Sequence, residues 1–195
     1  ITSIAIHNSE DDVYYAFALD EKKRLTLESK DNVVILRFDD EFSLLQSFFQ
    51  KYLQIKPTII TGWNMDSFDM PYLYNRACKV VGSNVADMLS PIQEVQWNKH
   101  RGRYLFAGVS CLDYLGLYKL FTYTQLSSYR LDAVAEFELG ENKIEYDGTL
   151  TDLYENDLNK YIEYNIHDVR LVKRMHDKLD FIDMARGVCH VGHVP

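Results

Sequence analysis

The sequence predicts a mixed-sheet α/β domain, and three observations predict it. Short runs rich in β-branched and aromatic residues fill residues 1 to 38, and helical spacing begins directly after them. From there strand-like apolar runs alternate with amphipathic segments. Strands first, then strands alternating with helices, is the pattern of a sheet of mixed direction with helices packed on it.

The opening runs are ITSIAI, VYYAFAL and VVILRF, parted by HNSEDD, by DEKKR and by the stretch around Ser29 to Asn32, which predicts an antiparallel meander. DDEFSLLQSFFQKYLQI then predicts a helix with Phe42, Leu45, Phe49 and Leu53 on one face and Asp39 or Asp40 as its cap. The run from Pro57 to Trp63 reads as a buried strand. A helix follows over about Met70 to Val81, and Pro71 fits only in its first turn, so the helix starts near Asp69. Residues 91 to 109 predict a hairpin turning at NKHRG, whose charges read as a hairpin tip rather than a nucleic-acid patch. VSCLDYLGLYKLF reads as another strand running into a helix, with Asp113 capping that helix rather than binding a ligand. SYRLDAVAEFELG is a helix stopped by Gly140, the polar connector ENKIEYDGTL comes next, and the last long helix runs from about Glu155 to beyond Leu179.

At 195 residues and 47% hydrophobic, the chain can bury a substantial core as one domain spanning 1–195. Ile1 already lies in a strand-like pattern and the last residues, HVGHVP, break off, so both ends are expected to be cut from a longer polypeptide. A formal net charge of -8 excludes a surface that holds nucleic acid by bulk electrostatics. Any such contact must be local, metal-bridged or aided by another domain. Cys78, Cys111 and Cys189 lack metal-ligand spacing and read as free thiols in a reducing compartment. No apolar stretch is long enough to cross a bilayer and no signal peptide is visible, so no membrane partner is expected.

Two carboxylates stand out. Asp69 follows the end of a strand, the edge where open α/β sheets bind ligands, although an Asp just before a helix also serves as an N-cap. On the final helix, at about 100° per residue, Leu158, Ile162, Val169, Val172, Met175 and Leu179 share one arc. Lys160, Glu163, His167, Arg170 and Arg174 fall opposite. Asp168 lands on the apolar side, with Tyr161 beside it and Tyr164 one turn earlier. A carboxylate facing a core persists only when it is paired or binds a cation, so a structural ion pair and a metal site are both open for Asp168. Tyr164 could likewise be core packing with its hydroxyl at the rim.

The combination Asn64-x-x-x-Phe68-Asp69 after a strand, with Tyr164-x-x-x-Asp168 on a late helix, resembles the second and third exonuclease motifs of family B DNA polymerases. TGWNMDSFDMPYLYNR, SYRLDAVAEFELG and YIEYNIHDVRLV are similar to the proofreading domain of the T-even-phage-like branch, and the resemblance covers nearly the whole chain. It implies a ribonuclease H-like (DnaQ-like) fold and a 3′-to-5′ exonuclease acting on the 3′ end of single-stranded DNA. In that family four carboxylates hold two divalent metal ions, Mg or Mn, which supply a nucleophilic hydroxide and a counter-charge for the leaving oxygen. Asp69 and Asp168 would be metal ligands, Tyr164 would position the attacking water, and Asn64 and Phe68 would shape the pocket around the terminal nucleotide. The resemblance also implies a polymerase domain in cis or in trans, a sliding clamp reached through the full polymerase, and a cytoplasmic location.

The family's first motif, Asp-x-Glu on the opening central strand, has no counterpart here. Asp39-Asp40-Glu41 has similar letters but lies after the meander, between a strand and a helix. The first strand of the sheet is therefore expected to be absent, or supplied by an upstream segment or another chain, and this chain alone is expected to cleave little or nothing. Two competing readings are a non-catalytic scaffold or primer-end-binding domain derived from a nuclease, and a free-standing relative acting on RNA or short oligonucleotides.

Overall fold

The central strand is the most apolar of the opening runs: Ala16, Phe17 and Ala18 of VYYAFAL are fully buried. The computed structural model describes residues 1–141 and 148–193. It begins with β1 (Ser3–Asn8), β2 (Val13–Leu19) and β3 (Val33–Phe38), which form one sheet in that order. β1 and β2 are antiparallel, but β3 runs parallel to β2, which corrects the expected meander. Residues 20–32 cross back over the sheet instead of turning tightly. The Asp20 carboxylate accepts the amides of Arg24 and Leu25, both at 2.8 Å, and Leu25 is buried against the far side of the domain.

α1 (Glu41–Ile55) is capped by Asp40, whose side chain accepts the Ser43 amide at 2.8 Å. Its buried stripe is Leu44, Leu45, Phe48, Phe49 and Tyr52. Phe42 and Leu53 are 46% and 42% exposed, so the apolar face is rotated from the expected one at both ends of the helix.

β4 (Ile59–Gly62) leads through a loop into α2 (Asp69–Val80), followed by the short α3 (Ser83–Ala86). β5 (Val95–Asn98) and β6 (Arg103–Phe106) form the expected hairpin, whose tip is shaped by Asn98 accepting the amides of His100 and Arg101. β7 (Ser110–Asp113) pairs in parallel with β4 and runs directly into α4 (Tyr114–Phe121). α5 (Leu131–Leu139) ends at Gly140, whose left-handed φ of 69° lets its amide reach the Glu136 carbonyl.

The last part of the chain departs from the single helix expected there. α6 (Leu150–Asn156) is a separate element with a reciprocal Thr149–Asp152 capping box. Asp157 breaks the helical path and caps α7 (Leu158–Leu179) by accepting the Lys160 amide at 3.0 Å. Asp180, at φ 54°, ends α7, and α8 (Phe181–Gly192) follows. Residues 142–147 of the expected connector lie outside the described residues.

The architecture is mixed α/β, with small sheets and flanking helices, as the sequence predicts. α1 packs on β2 and β3, while α7 lies along β1 and β2. The β1–β2–β3 and β4–β7 sheets share a core: Ile4 and Ile6 of β1, Ile60 of β4 and Cys111 of β7 pack against the cluster built on Phe17, Phe48 and Phe49. Among the described residues β1 bonds only to β2, and β4 only to β7, so both strands keep an open edge. Cys78, Cys111 and Cys189 are half-buried free thiols, as expected. Among the described residues no helix is long and apolar enough to cross a membrane.

Candidate active site

Strands β4 and β7 are parallel and in register, with Gly62 opposite Asp113, so their C-terminal ends finish side by side. The loop that leaves β4 there carries Asn64, Phe68 and Asp69. Asn64 takes a left-handed conformation, φ 60°, which Asn tolerates better than most residues. Met65 turns inward, 3% exposed, and packs on Gly62, where an added Cβ would lie 3.2 Å from that of Met65. Asp66 forms a salt bridge with Arg103 of β6, tying the loop to the hairpin.

Phe68 and Tyr72 project from this loop and the first turn of α2. They are 65% and 55% exposed, and their rings are parallel within 4° at a centroid separation of 6.2 Å. Two exposed, parallel rings flanking Asp69 in sequence offer apolar faces suited to stacking on a planar base. The i, i+4 spacing that joins them is present in SFDMPY, but it straddles the start of a helix, where spacing alone does not reveal a pair.

Asp69 is the first residue of α2, and the helix has no side-chain cap hydrogen bond. The N-cap reading of Asp69 is therefore overturned: Phe68 holds the cap position, and the Asp69 carboxylate is left for other work. Dense surrounding protein pushes the Asp69 carboxyl above its ordinary range; its own amide opposes that shift and the Asp113 charge adds to it. The side chain is nevertheless solvent-exposed, so the effect is tempered by screening.

Asp113 does cap α4, accepting the Leu115 amide at 3.0 Å. The same carboxylate also accepts the Asn64 amide at 3.0 Å and the Asp66 amide at 3.2 Å, a link that local sequence reasoning misses. Its only advance signal is an acidic residue at the end of a strand.

Tyr164 and Asp168 lie on successive turns of α7. Tyr164 is 7% exposed, and Asp168 is half-buried with its Oδ1 shielded from solvent. α7 is held against β1 by the Thr2 and Tyr161 hydroxyls, 2.7 Å apart, and by the Ser3 hydroxyl donating to Asn165 Oδ1 at 3.1 Å. The predicted residues thus fall into two groups: Asn64, Phe68 and Asp69 at the ends of β4 and β7, and Tyr164 and Asp168 on the helix beside β1. His167, expected to face solvent, is half-buried with Nε2 shielded.

Carboxylate oxygens are hard donors that suit Mg²⁺ or Mn²⁺. Asp69 and Asp168 fit such an ion chemically but belong to no tight ligand group among the described residues. The group that does is His176, Asp180 and Asp183, with ligand atoms within 4.8 Å of one another, at the α7–α8 junction. His176 is about 12 Å along the helix from Asp168, and Asp183 also pairs with Arg186 at 2.7 Å.

Residues 6–134 match the family model described as DNA polymerase family B, exonuclease domain. The chain is 39% identical to the DNA-directed DNA polymerase of Escherichia phage RB69 over 161 residues, covering 80% of this chain and 18% of that protein. It is 32% identical to the DNA-directed DNA polymerase of Enterobacteria phage T4, with 100% of this chain and 25% of that protein covered. The DNA polymerase epsilon catalytic subunit from Saccharomyces cerevisiae is 31% identical over 69% of this chain and 6% of its own length. The chain therefore spans a quarter or less of these relatives.

Proposed function

The chain belongs to the exonuclease domains of the family B DNA polymerases, and from that membership we propose that it removes mispaired nucleotides from the 3′ end of a primer strand as the proofreading module of a DNA-directed DNA polymerase. The observation that carries this reading is the placing of Asn64, Phe68 and Asp69 where parallel β4 and β7 end together. A strand terminus of this kind leaves space for a ligand that the diverging loops can line.

In this reading Phe68 stacks on the terminal base, with Asn64 shaping the loop beside it. Asp69 and Asp168 hold divalent cations, Mg or Mn, and Tyr164 orients the attacking water from its buried position on α7. Such cations, when bound, supply counter-charge to the phosphodiester and a nucleophile at neutral pH. By the family resemblance four carboxylates hold the two cations, and Asp69 and Asp168 are two of the four. A strand laid between the open edges of β1 and β4, bearing two more acids, would complete the set and join the two sheets. Without it the chain cleaves little or nothing. The partners are a single-stranded DNA 3′ end, a polymerase domain in cis or in trans and, through the full polymerase, a sliding clamp.

The test is an Mn²⁺ titration by calorimetry on the chain, on Asp168→Ala and on His176→Ala, with a gel assay on a mismatched primer. Binding lost in Asp168→Ala and kept in His176→Ala, without cleavage, is expected. Equal binding by the chain and Asp168→Ala would make Asp168 a structural carboxylate and favour a non-catalytic scaffold. Metal-dependent cleavage by this chain would show that it already carries the acids assigned to a further strand.

A further inference from the structure

Asp113 sits one strand away from the loop that carries Asn64, Phe68 and Asp69, and its carboxylate bonds in two directions. One is local: Oδ1 accepts the Leu115 amide and caps α4. The other is long-range: Oδ1 accepts the amide of Asn64, 49 positions earlier, and Oδ2 that of Asp66, 47 positions earlier. A helix cap explains the first bond and neither of the others.

We propose that Asp113 is a positioning residue, which fixes the conformation of the loop presenting Phe68 and Asp69 by clamping the two amides on either side of Met65. The clamp works with what lies between those amides. Met65 is buried and anchors the loop from the inside, while Asp113 holds it from the sheet end. Asn64 is in the left-handed region, one of several conformations open to Asn in a loop, and the bond from its amide to the Asp113 carboxylate selects it. Parallel pairing puts the carboxylate in the right place, since Asp113 is the register partner of Gly62, two residues before Asn64. The loop is closed further by Ser67 donating its amide to the Asn64 carbonyl at 3.3 Å and Met70 to the Met65 carbonyl at 3.0 Å. Loss of the carboxylate therefore frees both clamped amides at once and lets Phe68 and Asp69 wander from their places.

This assignment rests on the proposed nuclease reading only for its consequence, so its test needs one readout independent of DNA. Amide hydrogen exchange over residues 61–69 is compared in the chain, in Asp113→Ala and in Asp40→Ala, alongside binding of a short fluorescein-labelled oligothymidylate. Asp40→Ala removes a cap of the same kind from α1 and serves as the stability match. Asp113→Ala is expected to lose protection at Asn64 and Asp66 and to bind the oligonucleotide roughly 5- to 150-fold more weakly, the range for losing one base stacked on an aromatic side chain, while Asp40→Ala changes neither. Asp113→Asn keeps one acceptor oxygen and should fall between, and it serves as the folded variant if alanine does not fold. Unchanged protection in Asp113→Ala or in its Asn substitute, or equal loss in Asp40→Ala, overturns the proposal. If the unsubstituted chain binds no oligonucleotide while the exchange contrast holds, the nuclease reading fails and the loop clamp stands.

Discussion

Replacing Phe68 with Ala separates binding from stability more cleanly than any other change in the site. The ring is 65% exposed, so only about a third of it is withdrawn from water on folding. Full burial of a Phe is worth about 1.5–3 kcal/mol, which makes the share at stake here roughly 0.5–1 kcal/mol. The parallel contact with Tyr72 adds about 0.5–1.5 kcal/mol. A base stacked on an aromatic side chain is worth about 1–3 kcal/mol, or roughly 5- to 150-fold in affinity. Phe68→Ala should thus melt close to the unsubstituted chain and bind a single-stranded oligonucleotide far less well. Fluorescence anisotropy and thermal melting on the same samples read the two quantities. Unchanged affinity would refute the stacking role, and a stability loss above about 3 kcal/mol would make Phe68 a packing residue rather than an exposed platform.

Two further outcomes follow from the packing and the charges. Hydrogen bonds from Arg76 hold the Glu41 carboxyl down at about 2. A carboxylate depressed in the folded state stabilises above its unfolded pKa, so this contribution is present above about pH 4.5 and fades as pH falls toward about 2. Arg76 is 42% exposed, so screening keeps the pair's contribution small; melting of Arg76→Ala should show a shallower acid slope over that window, and an identical slope would remove the pair from the account. Met175 is fully buried in the cluster with Tyr114, Tyr118 and Phe181, and Met175→Ala should cost about 2–4 kcal/mol in urea unfolding, with a loss under about 1 kcal/mol counting against tight packing there.

What is legible in the sequence is mostly local. A Pro in the first turn sets the start of α2, Gly140 stops α5, and Asn98 with Gly102 marks the hairpin tip. Asp40 is readable as a cap because capping needs only nearby amides. Most of the misses are matters of long-range choice. The direction of β3 depends on where residues 20–32 travel, and that path is set by burial of Leu25 on the far side of the sheet. Phe42 and Leu53 fit an ideal helical stripe, but the core meets only the middle of α1. Asp157 reads as one more polar residue in a helical stretch, although its side chain starts a new helix. The candidate site shows the same division: Asn64, Phe68 and Asp69 stand together in one loop, while the hold of Asp113 on that loop spans two strands and leaves no periodic trace.

Trp63 follows β4 immediately before Asn64, and its indole nitrogen donates to the Tyr129 carbonyl at 3.1 Å. The protein has 2 tryptophans, and the other, Trp97, lies exposed on the hairpin against Tyr104. One indole is thus partly shielded and hydrogen-bonded at the root of the candidate loop, and the other is wet. The more shielded Trp63 is expected to emit to the blue of Trp97, so a change in the order of the neighbouring loop should be sought in the blue edge of the spectrum. The molecule carries its own optical gauge at the place where its chemistry is proposed, with no label attached.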